Sequence, residues 1–244
     1  MLRSYINRSV PPILVLLMVV GIHYSITYGV LEPTRRFLLP PPHSIIYEGF
    51  FVPKHRDEIF RGLLLTTKVS LIGLGIAYLI GFFTALLMSQ AKWIERSLYP
   101  WAVFTQTVPI LALVPTIGFW FGFDIQARII VVVIISIFPI VINTLTGLNG
   151  ASRNLHDLFT LHKASRWTRA TKLMIPYALP DMFTGLRTSA GLAIIGSIVG
   201  DFFFGRGSPG LGMLLKVYSS RLRTEELLSA TFVACLLGVV VFWT

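Results

Sequence analysis

The segment that decides the fold runs from Leu155 to Pro180 and reads LHDLFTLHKASRWTRATKLMIPYALP. Four side chains in its first part recur at helical spacing: Leu155, Leu158, Phe159 and His162. This pattern predicts an amphipathic helix. Ser165 can cap a second helix that begins at Arg166, and that helix should end before Pro176 or bend there. We call residues 150–180 the connecting segment; its helix–turn–helix pattern beside a long apolar run suits a contact with another protein.

Apolar runs flank the connecting segment on both sides. The 244-residue chain is 54% hydrophobic and only 13% charged, whereas soluble domains carry about 25% charged residues. This composition excludes an ordinary soluble protein and also intrinsic disorder. The single cysteine, Cys235, excludes a disulfide framework.

We therefore expect an all-α membrane protein with about six transmembrane helices. Their predicted bounds are 10–31, about 59–88, about 98–121 with breaks at Pro109 and Pro115, 128–148, about 182–204, and 227–244. The last apolar run has no polar flank, so we expect a natural C-terminal tail to be missing.

Three parts follow along the chain. Residues 1–31 are an N-terminal segment with the first helix, residues 32–58 are an outer Pro-rich segment with a short interfacial helix, and residues 59–244 are a core of five helices that contains the connecting segment. Lys and Arg are divided almost evenly between the two sides, so the positive-inside rule does not fix the orientation; we expect the N-terminus in the cytoplasm. The net charge of +10 lies in short segments between apolar runs, which favours lipid headgroups and cytosolic partners over nucleic acid.

Sequence motifs from the Pro-rich segment to the fifth span match one transporter family. In and after the connecting segment they are Ala164-Ser165-Arg166-Trp167, Ile175-Pro176-Tyr177-Ala178-Leu179-Pro180 and Gly185-Leu186-Arg187. Elsewhere they are Leu39-Pro40-Pro41-Pro42, Val108-Pro109, Leu113-Val114-Pro115, Trp120-Phe121-Gly122, and Phe138-Pro139-Ile140 with Asn143-Thr144 and Gly147. Together, over roughly residues 38–244, they resemble the permeases of binding-protein-dependent type I ABC importers. Within that class they resemble the subgroup of permeases that transport sulfonates, taurine, nitrate or bicarbonate, or else thiamine-precursor pyrimidines or riboflavin.

The resemblance implies a role for the connecting segment as the family's EAA loop, whose first helix docks in a groove of a cytosolic ATPase. ATP binding would close two ATPase subunits and rock the spans from inward-facing to outward-facing. The coupling residues so implied are Asp157, Leu158, Phe159, Leu161, His162, Lys163, Ala164, Ser165 and Arg166. Those expected to keep the segment rigid are Trp167, Pro176, Pro180 and Gly185. The alternative is a basic amphipathic loop resting on lipid headgroups.

One departure from the family pattern concerns the turn. The family's Glu-Ala-Ala falls on Asp157, Leu158 and Phe159, and its glycine falls on Lys163. Lysine costs about 1 kcal/mol in the left-handed conformation that glycine permits. Either the turn differs in this chain or that cost is tolerated.

Polar residues within the spans are the candidates for a pathway: Gln106, Thr107, Asn143, Ser189, Ser197 and Asp201. Hydrogen bonds between helices are the commoner explanation for the uncharged ones. Asp201 and Arg187 are ionisable residues in or beside the fifth span, where charge is costly and often functional. Structural pairing or snorkelling to the interface is the alternative for both.

The resemblance further implies that the chain is not an enzyme and binds no cofactor itself, since ATP and Mg belong to the partner ATPase. Its partners would be that ATPase, a second permease copy (homodimer, with a heterodimer as the alternative), an extracytoplasmic solute-binding protein and membrane lipid. No metal site is predicted, because the five histidines are scattered and His156 and His162 do not share a helix face. The Gly-rich run from Gly205 to Gly212 lacks the Gly-Lys-Ser/Thr of a phosphate loop. A membrane-embedded enzyme and a stand-alone channel are the rival functions.

Overall fold

The computed structural model describes the backbone of residues 2–243 and the side chains of residues 10–242. Within this range the chain is helical and has no strand. The helices are α1 (Leu2–Ser25), α2 (Pro42–Ile46), α3 (Pro53–Met88), α4 (Lys92–Thr107), α5 (Ile110–Phe121), α6 (Ile125–Asn149), α7 (Arg153–Leu161), α8 (Arg166–Arg169), α9 (Ile175–Phe203), α10 (Leu211–Ser220) and α11 (Thr224–Trp243). The all-α membrane fold predicted from the sequence is confirmed. Residues 1–9, which hold Arg3 and Arg8 of the N-terminal segment, lie outside the described side chains.

Five helices of the described residues are long and apolar enough to cross a membrane: Val10–Val30, Pro53–Met88, Ile125–Asn149, Arg166–Phe203 and Thr224–Phe242. The count of six is reached only if the pair α4–α5, bent by 99°, is one broken span. The break falls at Val108 and Pro109, as predicted, because the residue before a proline favours extended backbone and Val108 has ψ 125°. The break predicted at Pro115 is absent, because this proline lies inside the continuous helix α5.

Three spans begin earlier than the sequence predicted. Pro53 starts α3, since its missing N–H costs nothing in a first turn. Asp124 caps α6 by accepting a hydrogen bond from the Ile125 N–H at 2.7 Å, which moves the start back from Arg128. The fifth span is helical from Arg166 rather than from about 182.

The helix through Pro176 continues because a π-helical turn, Ala170–Met174, precedes it. In this wider turn the Ile175 N–H bonds to the Ala170 carbonyl. Pro176 then occupies the first turn of α9, where it needs no N–H donor. The second helix of the connecting segment therefore does not end before Pro176 and runs directly into the membrane span.

The chain divides into two compact units. The first comprises Met1–Arg61 and Leu214–Val233, and the second comprises Gly62–Met213 and Ala234–Thr244. In the first unit, the backbone at Pro41 is extended, so no helix runs through the three consecutive prolines. Pro42 is the first residue of α2. A π-helical turn, Tyr47–Phe51, continues α2, so the short helix predicted before Pro53 is present. Its position at the membrane interface stays a prediction.

The second unit is organised around α6 and α9, which pack closely along their length. A Cβ on Gly185 would lie 2.9 Å from the Pro139 carbonyl oxygen, and one on Gly147 would lie 2.9 Å from the Ala178 Cα. Only glycine permits such close backbone approach. Buried side chains fill the space beside this contact: Val141, Leu145, Leu148, Met174, Ala178 and Met182. The connecting segment joins the ends of these two helices, so it is attached to the most tightly packed pair of the unit.

Candidate coupling segment and pathway

Helix α7 presents its apolar side chains to solvent rather than to the protein. Leu158 is 48% exposed and Leu161 is 80% exposed, while Phe159 is half-buried. An amphipathic helix normally buries its apolar face against its own chain. The two leucines therefore form an apolar surface that the described part of the chain leaves uncovered.

A Schellman motif ends α7. The Ala164 N–H bonds to the Phe159 carbonyl and the Lys163 N–H to the Thr160 carbonyl, each at 2.9 Å. Lys163 has φ 52°, in the left-handed region. The turn therefore has the left-handed conformation that glycine permits, and the cost of a side chain there is tolerated.

The second half of the connecting segment is fixed by hydrogen bonds. Ser165 caps α8 as predicted, accepting from the Thr168 N–H at 3.1 Å. The Arg169 Nη2 donates to the Thr160 Oγ1 at 2.9 Å, which ties α8 to α7. Trp167, expected to stiffen the segment by packing, is 71% exposed. The packing comes instead from Leu173 and Met174 of the π-helical turn, which are buried.

All nine predicted coupling residues lie together in this segment. Seven are exposed: Asp157, Leu158, Leu161, His162, Lys163, Ser165 and Arg166. Phe159 and Ala164 are half-buried. Of the residues expected to give rigidity, Pro176 lies in the first turn of α9, Pro180 lies further along it, and Gly185 lies at the α6 contact. Their part in coupling stays a prediction.

The predicted pathway residues are not brought together. Gln106 and Thr107 are exposed at the end of α4. The Asn143 Nδ2 donates to the Pro139 carbonyl at 2.8 Å. Ser189 and Ser197 are buried, and their hydroxyls donate to the carbonyls of Ser136 and Thr66 at 2.6 and 3.1 Å. The bonds of Ser189 and Ser197 join different helices, whereas the Asn143 bond lies within α6. A role in transport stays a prediction for all of these residues.

Asp201 pairs with a residue that the sequence reading missed. Arg128 and Asp201 are each 2% exposed, and Arg128 Nη1 lies 2.5 Å from Asp201 Oδ1. The guanidinium also donates to the carbonyls of Phe204, Arg206 and Ser208 at 2.8, 2.8 and 3.2 Å. The sequence carried a signal for this pair, because Arg128 is the only charged residue of α6 and Asp201 follows a long uncharged run of α9.

The same carboxylate holds the far end of the Gly-rich loop. Asp201 accepts from the N–H groups of Gly210 and Met213 at 3.2 and 2.6 Å. Residues 204–213 are thus fastened at both ends to one buried ion pair. The loop has no phosphate-binding geometry of its own, since its carbonyls converge on Arg128.

In the first unit, Glu48, His55 and Glu226 place one ligand atom each within 4.8 Å of one another. The Arg223 Nη2 donates to His55 Nε2 at 2.6 Å and to Glu226 Oε1 at 2.5 Å. His55 Nδ1 is 3.2 Å from the Glu48 carbonyl, so it is the donor there. Because arginine can only donate, both ring nitrogens of His55 are engaged in this arrangement. Hydrogen bonds and ion pairs account for the cluster.

A multi-span helical subunit with a rigid surface segment between two tightly packed helices has the architecture of an ABC transporter permease. Comparison with known proteins confirms this class. The chain belongs to the family of binding-protein-dependent transport system inner membrane components, whose pattern matches residues 77–244. It is therefore a multi-pass permease subunit of an ABC importer, as the sequence motifs indicated.

Several permeases are similar to most of the chain. The formylaminopyrimidine transport permease protein ThiX of Halalkalibacterium halodurans is 31% identical over 99% of this chain and 93% of its own length. The riboflavin transport system permease protein RibX of Chloroflexus aurantiacus is 29% identical over 74% of this chain and 66% of its own. The putative aliphatic sulfonates transport permease protein SsuC of Escherichia coli is 29% identical over 82% and 75%.

Proposed function

We propose that this chain forms half of a twofold-symmetric translocation pathway that a cytosolic ATPase drives through the connecting segment. The observation that carries the proposal is the pair Leu158 and Leu161, two apolar side chains exposed on a helix that is otherwise rigidly held. They suit insertion into an apolar groove of the ATPase. A homodimer is the simplest assembly, because closed twofold symmetry is the commonest arrangement of protein oligomers.

The path of force follows from the contacts. A push on α7 passes through the Schellman turn and the Arg169–Thr160 hydrogen bond to α8. From α8 the helix is continuous through the π-helical turn into α9. Since α9 packs on α6 through Gly147 and Gly185, both helices would move as one body. The energy for this motion is the higher affinity of ATP for the closed ATPase dimer.

The membrane orientation follows from the same proposal. A connecting segment in the cytoplasm places the Gly-rich loop, residues 204–213, on the outside, where a solute-binding protein would deliver its cargo. The N-terminus is then cytoplasmic if the bent pair α4–α5 crosses the membrane once. The solute belongs to one of the classes carried by this subgroup: a vitamin-related heterocycle, a sulfonate, or a small oxyanion such as nitrate or bicarbonate.

The proposal is tested by two measurements: co-purification of the permease with an ATPase, and coupling of ATP hydrolysis to solute uptake. The permease, expressed together with candidate ATPase subunits, should co-purify with one of them and stimulate or restrain its ATP hydrolysis in proteoliposomes. Leu161→Asp should abolish co-purification or uncouple hydrolysis from uptake, because it places a charge in an apolar dock. Leu161→Met keeps the apolar surface and should behave like the parent chain. The proposal fails if Leu161→Asp retains full capture and full uptake.

A further inference from the structure

A cavity of about 710 Å³ lies within the second unit, between α3, α9 and α11. Its lining includes Phe183, Thr184, Arg187 and Thr188 from α9 and Phe242 from α11. None of these residues was among those predicted to line a pathway. The volume is in the range of small-molecule sites.

The cavity lies far from both ends of the longest helix. Leu71 and Leu74 of α3 line it, and they stand near the middle of the 36-residue helix Pro53–Met88. At 1.5 Å per residue, each is more than about 20 Å from either end. Along α3 the cavity therefore lies at membrane depth, while Phe242 lines it from the last turn of α11.

One face of α9 carries exposed polar side chains at this depth. Thr184, Arg187 and Thr188 are exposed, and they lie three and four residues apart on one side of the helix. Ser189, on another side of α9, is fully buried against α6. The exposed polar face is thus the one that α9 does not use to pack within its own chain.

Arg187 has no acidic partner among the side chains that the structure describes. Its Cζ lies 5.3 Å from the centre of the Phe242 ring, a cation–π contact. A guanidinium that faced lipid at this depth would be costly, so such residues face water-filled cavities or other helices. Arg187 therefore marks a side of α9 that faces a water-filled cavity or another helix, and not lipid, in the assembled transporter.

We propose that this cavity is the solute site of the pathway and that it receives a planar heteroaromatic solute. The ring would pack on Phe183 and Phe242, and a carbonyl or ring-nitrogen acceptor would receive hydrogen bonds from Arg187. This inference rests on the proposed transport function and adds the position of the site and the chemical class of the solute.

The lining favours a heteroaromatic ring over a compact oxyanion. Nitrate or bicarbonate, once stripped of water, needs donors on every oxygen. The cavity offers one guanidinium and two threonine hydroxyls, Thr184 and Thr188, and the hydroxyls already donate to helix carbonyls at 3.0 Å. Most of the remaining lining is apolar and includes two phenylalanines. A flat ring with a few acceptors matches this composition.

Cysteine labelling tests where the site lies. Cys235 is exposed and is first replaced by serine. In that background, with the permease in complex with its ATPase, Thr188→Cys should react with water-soluble methanethiosulfonates, whereas Ser189→Cys should be protected. With Thr188→Cys, the ratio of the rates of the anionic sulfonatoethyl reagent and the cationic trimethylammonium reagent should fall about tenfold when Arg187→Gln is added. Equal reaction of Thr188→Cys and Ser189→Cys, or an unchanged ratio, overturns the inference.

Ligand protection tests the chemical class. The probes are riboflavin and 4-amino-5-hydroxymethyl-2-methylpyrimidine, with ethanesulfonate and nitrate as the oxyanion comparison. At equal millimolar concentration a heterocycle should slow labelling of Thr188→Cys several-fold, and Arg187→Gln should remove that protection, as read on a second reporter, Thr184→Cys. Protection by an oxyanion alone, or by no probe, overturns the assignment of class. Neither result bears on whether the ATPase co-purifies, so failure here is distinguishable from failure of the proposed function.

Discussion

Arg128 Nη1 lies 2.5 Å from Asp201 Oδ1, and both side chains are almost completely buried. The pair joins the start of α6 to the end of α9. Arg128 donates hydrogen bonds to three carbonyls of the Gly-rich loop. Asp201 accepts hydrogen bonds from two N–H groups at the loop's far end. One ion pair therefore sets the conformation of a whole surface loop, at the end of α9 opposite to the connecting segment.

Removing the acid should be strongly destabilising. Asp201→Ala leaves the Arg128 guanidinium buried without its counter-charge, which costs about 3–5 kcal/mol. The expected result is a large fall in the thermal unfolding midpoint of the purified protein in detergent. Asp124→Ala is the control, because it removes only an exposed helix cap worth about 1 kcal/mol. Similar losses in the two variants would show that the buried pair is not what holds this region.

Exchanging the two charges should not restore stability. In the double variant Arg128→Asp with Asp201→Arg, opposite charges still face each other. The three loop carbonyls would then meet a carboxylate that cannot donate, and the N–H groups of Gly210 and Met213 would meet a guanidinium that cannot accept. The double variant should unfold at least as readily as Asp201→Ala in the same thermal scan. Recovery to the parent midpoint would mean that charge pairing alone matters and that the hydrogen bonds to the loop do not.

The α6–α9 contact predicts opposite effects for two glycines of one helix. A Cβ on Gly185 would lie 2.9 Å from Asn143 Cβ and from the Pro139 carbonyl oxygen, whereas a Cβ on Gly191 meets nothing within 4 Å. Gly185→Ala should therefore destabilise by about 1–3 kcal/mol as the helices move apart. Gly191→Ala should be neutral or slightly stabilising, because alanine favours helix over glycine. Unfolding midpoints of the two variants, measured side by side, decide the matter; equal shifts would contradict the packing.

The sequence was enough to predict the class, the approximate positions of the spans and the connecting segment, since hydropathy and turn residues are local signals. It could not predict that helix continues through Pro176, because the π-helical turn that accommodates the proline has no sequence signature of its own. The sequence also located the polar residues within the spans but did not identify the groups to which they hydrogen-bond. Ser189 and Ser197 were predicted as pathway candidates, and the structure shows that their hydroxyls bond to Ser136 and Thr66 on helices distant in the chain. Their role in transport stays a prediction. Arg128 went unnoticed because its partner lies at the far end of another helix.

Alkaline pH should weaken the fold through Tyr218. Its Oη donates to Glu58 Oε2 at 2.8 Å, and burial, followed by this bond to a negative neighbour, raises the pKa of Tyr218 above its usual value of 10.0. In the unfolded chain the phenol ionises near pH 10, while in the folded chain it stays protonated. The unfolded state then binds fewer protons, so stability falls as the pH rises through 10 towards the folded pKa.

The comparison that isolates this effect is Tyr218→Phe. The variant should lose about 2 kcal/mol at neutral pH, because a hydrogen bond to a charged group is removed. Between about pH 9 and about pH 11 its unfolding midpoint should fall less than that of the parent chain, since every other titrating group is shared. If the unfolding midpoints of the two proteins fall in parallel with pH, ionisation of Tyr218 does not contribute to the loss of stability at alkaline pH.

The turn after α7 offers a test of how the connecting segment tolerates strain. Lys163 adopts φ 52° at the position where the Schellman motif ends the helix. Lys163→Gly should stabilise by up to about 1 kcal/mol, because glycine takes this conformation without a Cβ penalty. Lys163→Val should be destabilising by more than that, since a β-branched residue rarely adopts positive φ. If the geometry of this turn transmits the stroke of the ATPase, Lys163→Gly should keep coupled uptake while Lys163→Val lowers uptake more than it lowers ATP hydrolysis. Both rates are measurable in the same proteoliposomes, and a Val variant with unchanged coupling would show that the turn is a passive connection.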